Sequence, residues 1–122
     1  MRHEFRELRI WKEARLLNKL IYVTSEKFPK EETYGLTSQI RRASVSIASN
    51  ISEGSSYPGD KMFLRYLNIA LGSLCEVETQ TYLALDVNYI SNNELDTIIE
   101  KTDKLKRMLI SFMKTLKTKK SL

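Results

Sequence analysis

Breaks are scarce in this chain. Its 122 residues include four glycines and two prolines. That is too few to punctuate a fold of many short strands, and it favours long helices. Cys75 is the only cysteine, which excludes an internal disulfide and suits a reducing compartment. The one histidine, His3, lies in a terminal tail expected to be mobile, so a His-based triad or zinc site has no support. Gly-rich phosphate loops are lacking. So is the pair of Glu-x-x-His motifs that a carboxylate-bridged metal bundle needs. No apolar run approaches the roughly 18 residues of a membrane span. The charged N-terminus, MRHEFRELRIWKEAR, holds no signal-peptide apolar region. These absences lead us to expect a cytoplasmic protein with no membrane contact, no metal, no cofactor and no catalytic site.

What remains is ordinary globular material, 42% apolar and 29% charged. The length fits one domain spanning residues 1–122, large enough to bury roughly two-thirds of its unfolded surface. The net charge of +5 is unevenly placed. From Lys104 to Leu122 there are seven basic residues and no acidic one, whereas the rest carries thirteen basic against fifteen acidic.

Hydrophobic spacing predicts four helices, over about 8–28, 36–53, 59–87 and 92–118. In the first, Ile10, Ala14, Leu17, Ile21 and Phe28 fall on one face before Pro29, and Leu16, Leu20 and Val23 widen the stripe. Leu36, Ile40, Ala43, Ile47 and Ile51 make the second stripe, with Gly54 as a left-handed stop. Phe63, Leu67, Ala70, Leu74, Val77, Thr81 and Leu85 make the third. Ser91-Asn92-Asn93-Glu94 resembles a capping box, opening a fourth helix whose stripe is Leu95, Ile98, Thr102, Leu105, Leu109, Phe112 and Leu116. Short connections between long amphipathic helices favour antiparallel neighbours, hence an all-α, antiparallel up-and-down four-helix bundle.

The third helix has a second apolar set away from its stripe: Met62, Tyr66, Ile69, Leu83 and Val87. Gly72 lies on that side. A mid-helix glycine costs roughly 1 kcal/mol relative to alanine, so it is either a tolerated exposed residue or a place where another backbone comes close. Surplus apolar surface favours the second reading, a contact between subunits of a homo-oligomer. Cys75, at the edge of the buried stripe, reads as an inert packed thiol.

The second helix carries a polar stripe, Gln39, Arg42, Ser46, Asn50 and Glu53. It reads as a structural network in which Arg41 or Arg42 pairs with Glu76 or Glu78 of the third helix, with Ser73 and Gln80 beside them. A functional site and a plain solvated face are the other readings. Glu78 is the carboxylate in greatest need of a partner. The basic residues of the fourth helix, Lys104, Lys106, Arg107, Lys114 and Lys117, followed by Lys119 and Lys120, are candidates for RNA or DNA phosphates, bound without sequence reading. Their alternative is a solvated face, in which case the protein is an oligomeric adaptor for another protein.

The run FPKEETYGLTSQIRRASVSIASNISEG, Phe28 to Gly54, followed by FLRYLNIALGSLCEVETQ, Phe63 to Gln80, resembles the 23S rRNA-intervening sequence protein family. The shared pattern is Phe-Pro, Tyr-Gly-Leu, Gln-x-Arg-Arg-Ala, Ser-Ile and Asn-Ile-x-Glu-Gly, then Ala-x-Gly-Ser and Glu-x-x-x-Gln. Its characteristic positions include Tyr34, Gly35, Gln39, Arg41 and Arg42, then Asn50, Glu53 and Gly54, then Gly72, Ser73, Glu76 and Gln80. The resemblance implies a bundle that assembles as a ring-like homopentamer, with no catalytic residues to carry over. It also extends to the accessory variability determinant of diversity-generating retroelements, a basic pentamer associated with nucleic acid.

Overall fold

The structure is a computed structural model that describes the backbone of residues 2–121 and the side chains of residues 2–118. Four helices dominate: α1 (Arg9–Ser25), α2 (Leu36–Ser55), α3 (Asp60–Asp86) and α4 (Asn92–Ser121), with single 3-10 turns at Phe5–Glu7 and Lys30–Glu32. No strand occurs among the described residues. At 1.5 Å per residue α3 spans about 40 Å.

Contacts close a cycle, α1 to α2 to α3 to α4 and back to α1, with no pairing across either diagonal among the described residues. Neighbours run antiparallel. Asn18 meets Ser44 and Ser25 meets Arg41, so the numbers rise on α1 as they fall on α2. Phe63 meets Phe112 and Glu78 meets Thr102 across α3 and α4. Glu13 meets Lys104 and Lys27 meets Glu94 across α1 and α4. Each helix turns its apolar stripe inward. Leu17, Ile47, Leu74 and Leu105, one from each helix, are among the side chains wholly removed from water. The third stripe continues through buried Ala84, with Leu85 only partly buried. On α4 the buried residue near the end is Met113, and Phe112 packs partly exposed beside it. No described helix is long and apolar enough to cross a membrane.

The helix ends differ from the sequence expectation where specific contacts override composition. α1 stops at Ser25, three residues before Phe28, whose N–H bonds the Ser25 carbonyl at 3.1 Å. Phe28 is still buried, against the Tyr89 ring with centroids 5.4 Å apart. Gly54 does not adopt a left-handed stop: it lies inside α2 and no described glycine has positive φ. It is glycine because α3 crosses on top of it, and a Cβ there would stand 2.7 Å from Tyr66 Cβ and 3.0 Å from Phe63 Cδ1. The left-handed residue is instead Asn88, φ 65°, after α3. The Tyr89 N–H returns to Ala84 O at 2.9 Å and the Asn88 N–H to Leu85 O at 3.0 Å, the two bonds of a Schellman cap. The capping box forms at α4: the Ser91 N–H donates to Glu94 Oε1 at 2.8 Å and the Glu94 N–H to Ser91 Oγ at 3.1 Å. Hydrogen bonding by Lys27 and the Ser91 N–H holds the Glu94 carboxyl below its ordinary pKa.

The N-terminal segment is tied down, contrary to the mobile tail expected around His3. The His3 N–H bonds Ser55 O at 3.2 Å, its Nε2 lies 3.3 Å from Asp60 Oδ1, and its ring rests 4.9 Å from that of Phe63. It closes the bundle end where α2 turns into α3.

Gly54→Ala therefore lowers stability by about 1–3 kcal/mol through overpacking, despite alanine's better helix propensity. Urea unfolding checks this against Ser49→Ala, an exposed change expected to stay within about 0.5 kcal/mol of the parent.

Candidate nucleic-acid and assembly surfaces

Small residues bring α2 and α3 together, and the polar stripe of α2 runs along that seam. Ser46 Oγ lies 2.8 Å from Ser73 Oγ. Asn50 Nδ2 donates back to Ser46 O at 2.8 Å and to Ser46 Oγ at 2.9 Å. These three side chains form a partly buried neutral chain. Gln39, Arg42, Glu53 and Glu76 stay exposed along its rim. Gln80 Oε1 is buried with no hydrogen-bond partner among the described residues.

The charges expected to meet across this seam do not. Arg41 points to the opposite flank of α2 and folds over the end of α1. Its Nε donates to Ser25 Oγ at 2.8 Å, and one terminal nitrogen donates to Tyr22 O and to Glu26 Oε2, each at 3.3 Å. The guanidinium stacks 4.6 Å from the Tyr22 ring centroid. Glu78 turns the other way, to α4, where Lys106 Nζ is 2.6 Å and Thr102 Oγ1 is 3.0 Å away. The Glu78 hydrogen bond raises the Lys106 pKa, against partial burial. Helical rotation explains both outcomes. Residues 41 and 78 sit on flanks facing α1 and α4, so the α2–α3 seam is left to hydroxyls and an amide.

The basic residues of α4 divide by partner. Lys104 pairs with Glu13 at 3.2 Å and Lys106 with Glu78, so part of the expected positive charge is neutralised within the bundle. Arg107, Lys114 and Lys117 are exposed. Lys104 and Arg107 line one side of a groove of about 500 Å³ with Arg9 and Glu7 of the N-terminal region opposite. The side chains of Lys119 and Lys120 lie outside the described residues.

Cys75, expected to pack at the edge of the core, is exposed. The core position at that level of α3 belongs to its neighbour Leu74, which is wholly buried. Gly72 faces open space, with nothing within 4 Å of where a Cβ would stand. Among the described residues no group of three His, Cys, Asp or Glu side chains is placed to hold a metal ion.

In the sequence the outer side of the α1–α2 pair is marked only by the unusual width of the α1 stripe. A cleft of about 820 Å³ opens between the end of α1 and the start of α2, lined by Tyr22, Glu26, Lys30, Tyr34, Arg41 and Arg42 among others. Tyr34 stands at its edge 96% exposed. A second groove of about 630 Å³ holds Lys12, Arg15, Leu16 and Lys19, and shares Val45 with the first. Leu16 and Val23 fall at spacings that widen the buried stripe of α1 in sequence, yet both stand exposed. The Tyr-Gly-Leu motif was the one pointer to Tyr34.

At the far end of the α2–α3 seam, Tyr57 and Tyr66 stack 5.5 Å apart with their hydroxyls 3.4 Å from each other. Hydrogen bonding with Tyr57 and with the Glu53 carboxylate pushes the Tyr66 hydroxyl up to about 12. A raised tyrosine pKa stabilises the fold below the unfolded value near 10, and that contribution is lost as pH climbs from about 10 towards 12. Absorbance titration is expected to resolve one tyrosine near 12, and Tyr57→Phe to move it back towards 10. A titration unchanged by that substitution refutes the pairing.

A family model described as 23S rRNA-intervening sequence protein matches residues 6–111. No curated protein matches the chain. Among solved structures, a crystal structure from Bacteroides thetaiotaomicron, of a protein with unknown function from the S23 ribosomal protein family, superposes with a TM-score of 0.78. It is 23% identical, and the match covers 86% of this chain and 95% of that one. A likeness at that identity speaks for the fold alone.

Proposed function

The chain belongs to the 23S rRNA-intervening sequence protein family, and from that premise we propose that it is a non-enzymatic cytoplasmic scaffold. It assembles as a closed ring of identical subunits, five in number, and holds RNA or DNA by the backbone through the second half of α4. The observation that carries the nucleic-acid reading is the exposure of Arg107 and Lys114 on a helix segment with no carboxylate after Asp103. Lys104 and Lys106, held in ion pairs, contribute less than the sequence alone suggests.

A ring multiplies this modest charge. Five copies of one helix end around an axis give a field that a single subunit lacks. The contacts are to phosphates: Phe112, the aromatic of α4, packs against the core with its ring on Phe63, and base reading needs side chains that reach base edges. We extend the proposal to a relation with the accessory determinant of diversity-generating retroelements, which rests on the shared sequence pattern alone. The surplus apolar surface supports assembly. It equally fits an adaptor that docks another protein and no nucleic acid.

Light scattering is expected to give five times the subunit mass. Filter binding to RNA is expected to weaken steeply with salt, with log K falling by roughly 0.7 to 0.9 per decade of salt for each phosphate neutralised. Arg107→Glu with Lys114→Glu weakens low-salt binding by on the order of tenfold. Absence of binding at low salt, or binding indifferent to salt, refutes the nucleic-acid reading. A partner protein retained from native lysate after nuclease treatment then favours the adaptor.

A further inference from the structure

Ten large apolar side chains are exposed among the described residues, and nine of them fall in two groups. Leu16, Tyr22, Val23, Tyr34 and Val45 lie on α1, α2 and the connection between them. Ile69, Tyr82, Leu83 and Val87 lie on α3 and its last turn. Scattered single residues of this kind need no explanation, whereas gathered ones mark a contact.

The two groups differ in charge. The paired α1–α2 grooves are lined by Lys12, Arg15 and Lys19, with Lys30, Arg41 and Arg42 further along, against one acid, Glu26. On α3 there is no lysine or arginine after Arg65, and none follows until Lys101. Its exposed carboxylates there are Glu76 and Asp86. They differ in shape too. Val45 stands out from α2 at 43% exposure, while Gly72 leaves a gap in α3. The Ser46–Ser73 hydrogen bond puts Val45 and Gly72 at the same height along the bundle.

We infer that the outer face of α3 docks into the α1–α2 grooves of a second copy of this chain, Val45 of one copy meeting Gly72 of the next. This rests on the assembly proposed above and specifies its contact. The contact is heterologous: basic and protruding on one side, acidic and notched on the other. Within one subunit the two faces lie on neighbouring sides of the bundle, since α3 packs directly beside α2, so they are not diametrically opposed. Each added copy is turned relative to the last, the condition under which head-to-tail contacts close into a ring and do not extend as a filament. A self-complementary contact of α3 with α3 would bring Glu76 against Glu76 and leave the basic grooves uncovered.

Two variants test this, each disabling one face at an exposed position. Val45→Glu places an acid where the acidic face should dock, and Gly72→Arg fills the notch. Circular dichroism checks that both remain helical. Each alone is expected to scatter light as a single subunit. Mixed in equal amounts, they are expected to give twice the subunit mass and nothing larger, since one intact groove remains for one intact α3. Leu16→Glu with Leu83→Glu repeats the test away from Val45 and Gly72. Either variant assembling to the wild-type mass, or a mixture that stays at the subunit mass while the wild type assembles, overturns the pairing of faces and leaves the scaffold reading standing. A wild type that is itself a single subunit overturns both.

Discussion

Close approach of α2 and α3 is the constraint on which the rest of the bundle depends. Helix pairs pack at separations set by the side chains between them, and here those are small: Ala43, Ser46 and Gly54 on α2, Ala70 and Ser73 on α3. Gly54 lies beneath Phe63 and Tyr66, and the Ser46–Ser73 bond fixes the helical rotation further along. With two helices locked in both spacing and rotation, their outward residues are locked as well. The orientation of Val45, Gly72 and Leu83 is thus a product of the seam. So is the direction of Arg41 and Glu78, which are turned away from each other and forced to find partners on α1 and α4.

Much of this architecture was legible from spacing alone. Ile10, Ala14, Leu17 and Ile21 on α1, or Leu67, Ala70, Leu74 and Val77 on α3, recur three and four apart and are buried. A single stripe, however, says which face is inward and not which neighbour stands at each flank. The pairing of Arg41 and Glu78 was misjudged for that reason. Local stops were misread where tertiary contact decided the residue. Gly54 is glycine for steric room and not for its backbone angle, and the left-handed position fell to Asn88.

The candidate surfaces were legible in part. The run of bases at the end of α4 is visible in composition, but its partial neutralisation by Glu13 and Glu78 depends on residues 91 and 28 positions away along the chain. Ion pairs that stay partly open to solvent, as these do, are worth little in stability. Their effect here is to remove two cations from any encounter with a polyanion. The α1–α2 side was hidden because an exposed Leu16 and a buried Leu17 look alike in sequence, and only the closed cycle of helices tells them apart.

The cycle also separates charge along its length. The end formed by the start of α3 and the close of α4 carries Lys61, Arg65, Lys114 and Lys117 beside Glu53 and Asp60, while the other end gathers Glu31, Glu32, Asp86, Glu94 and Asp96 beside Lys27, Lys30, Arg41 and Arg42. Because antiparallel neighbours oppose one another's backbone dipoles, the excess of basic groups at one end and of acidic groups at the other comes from the side chains. A body so charged turns in an external field before it touches anything. A polyanion in solution would be met lysine end first, with orientation decided during diffusion and not at contact.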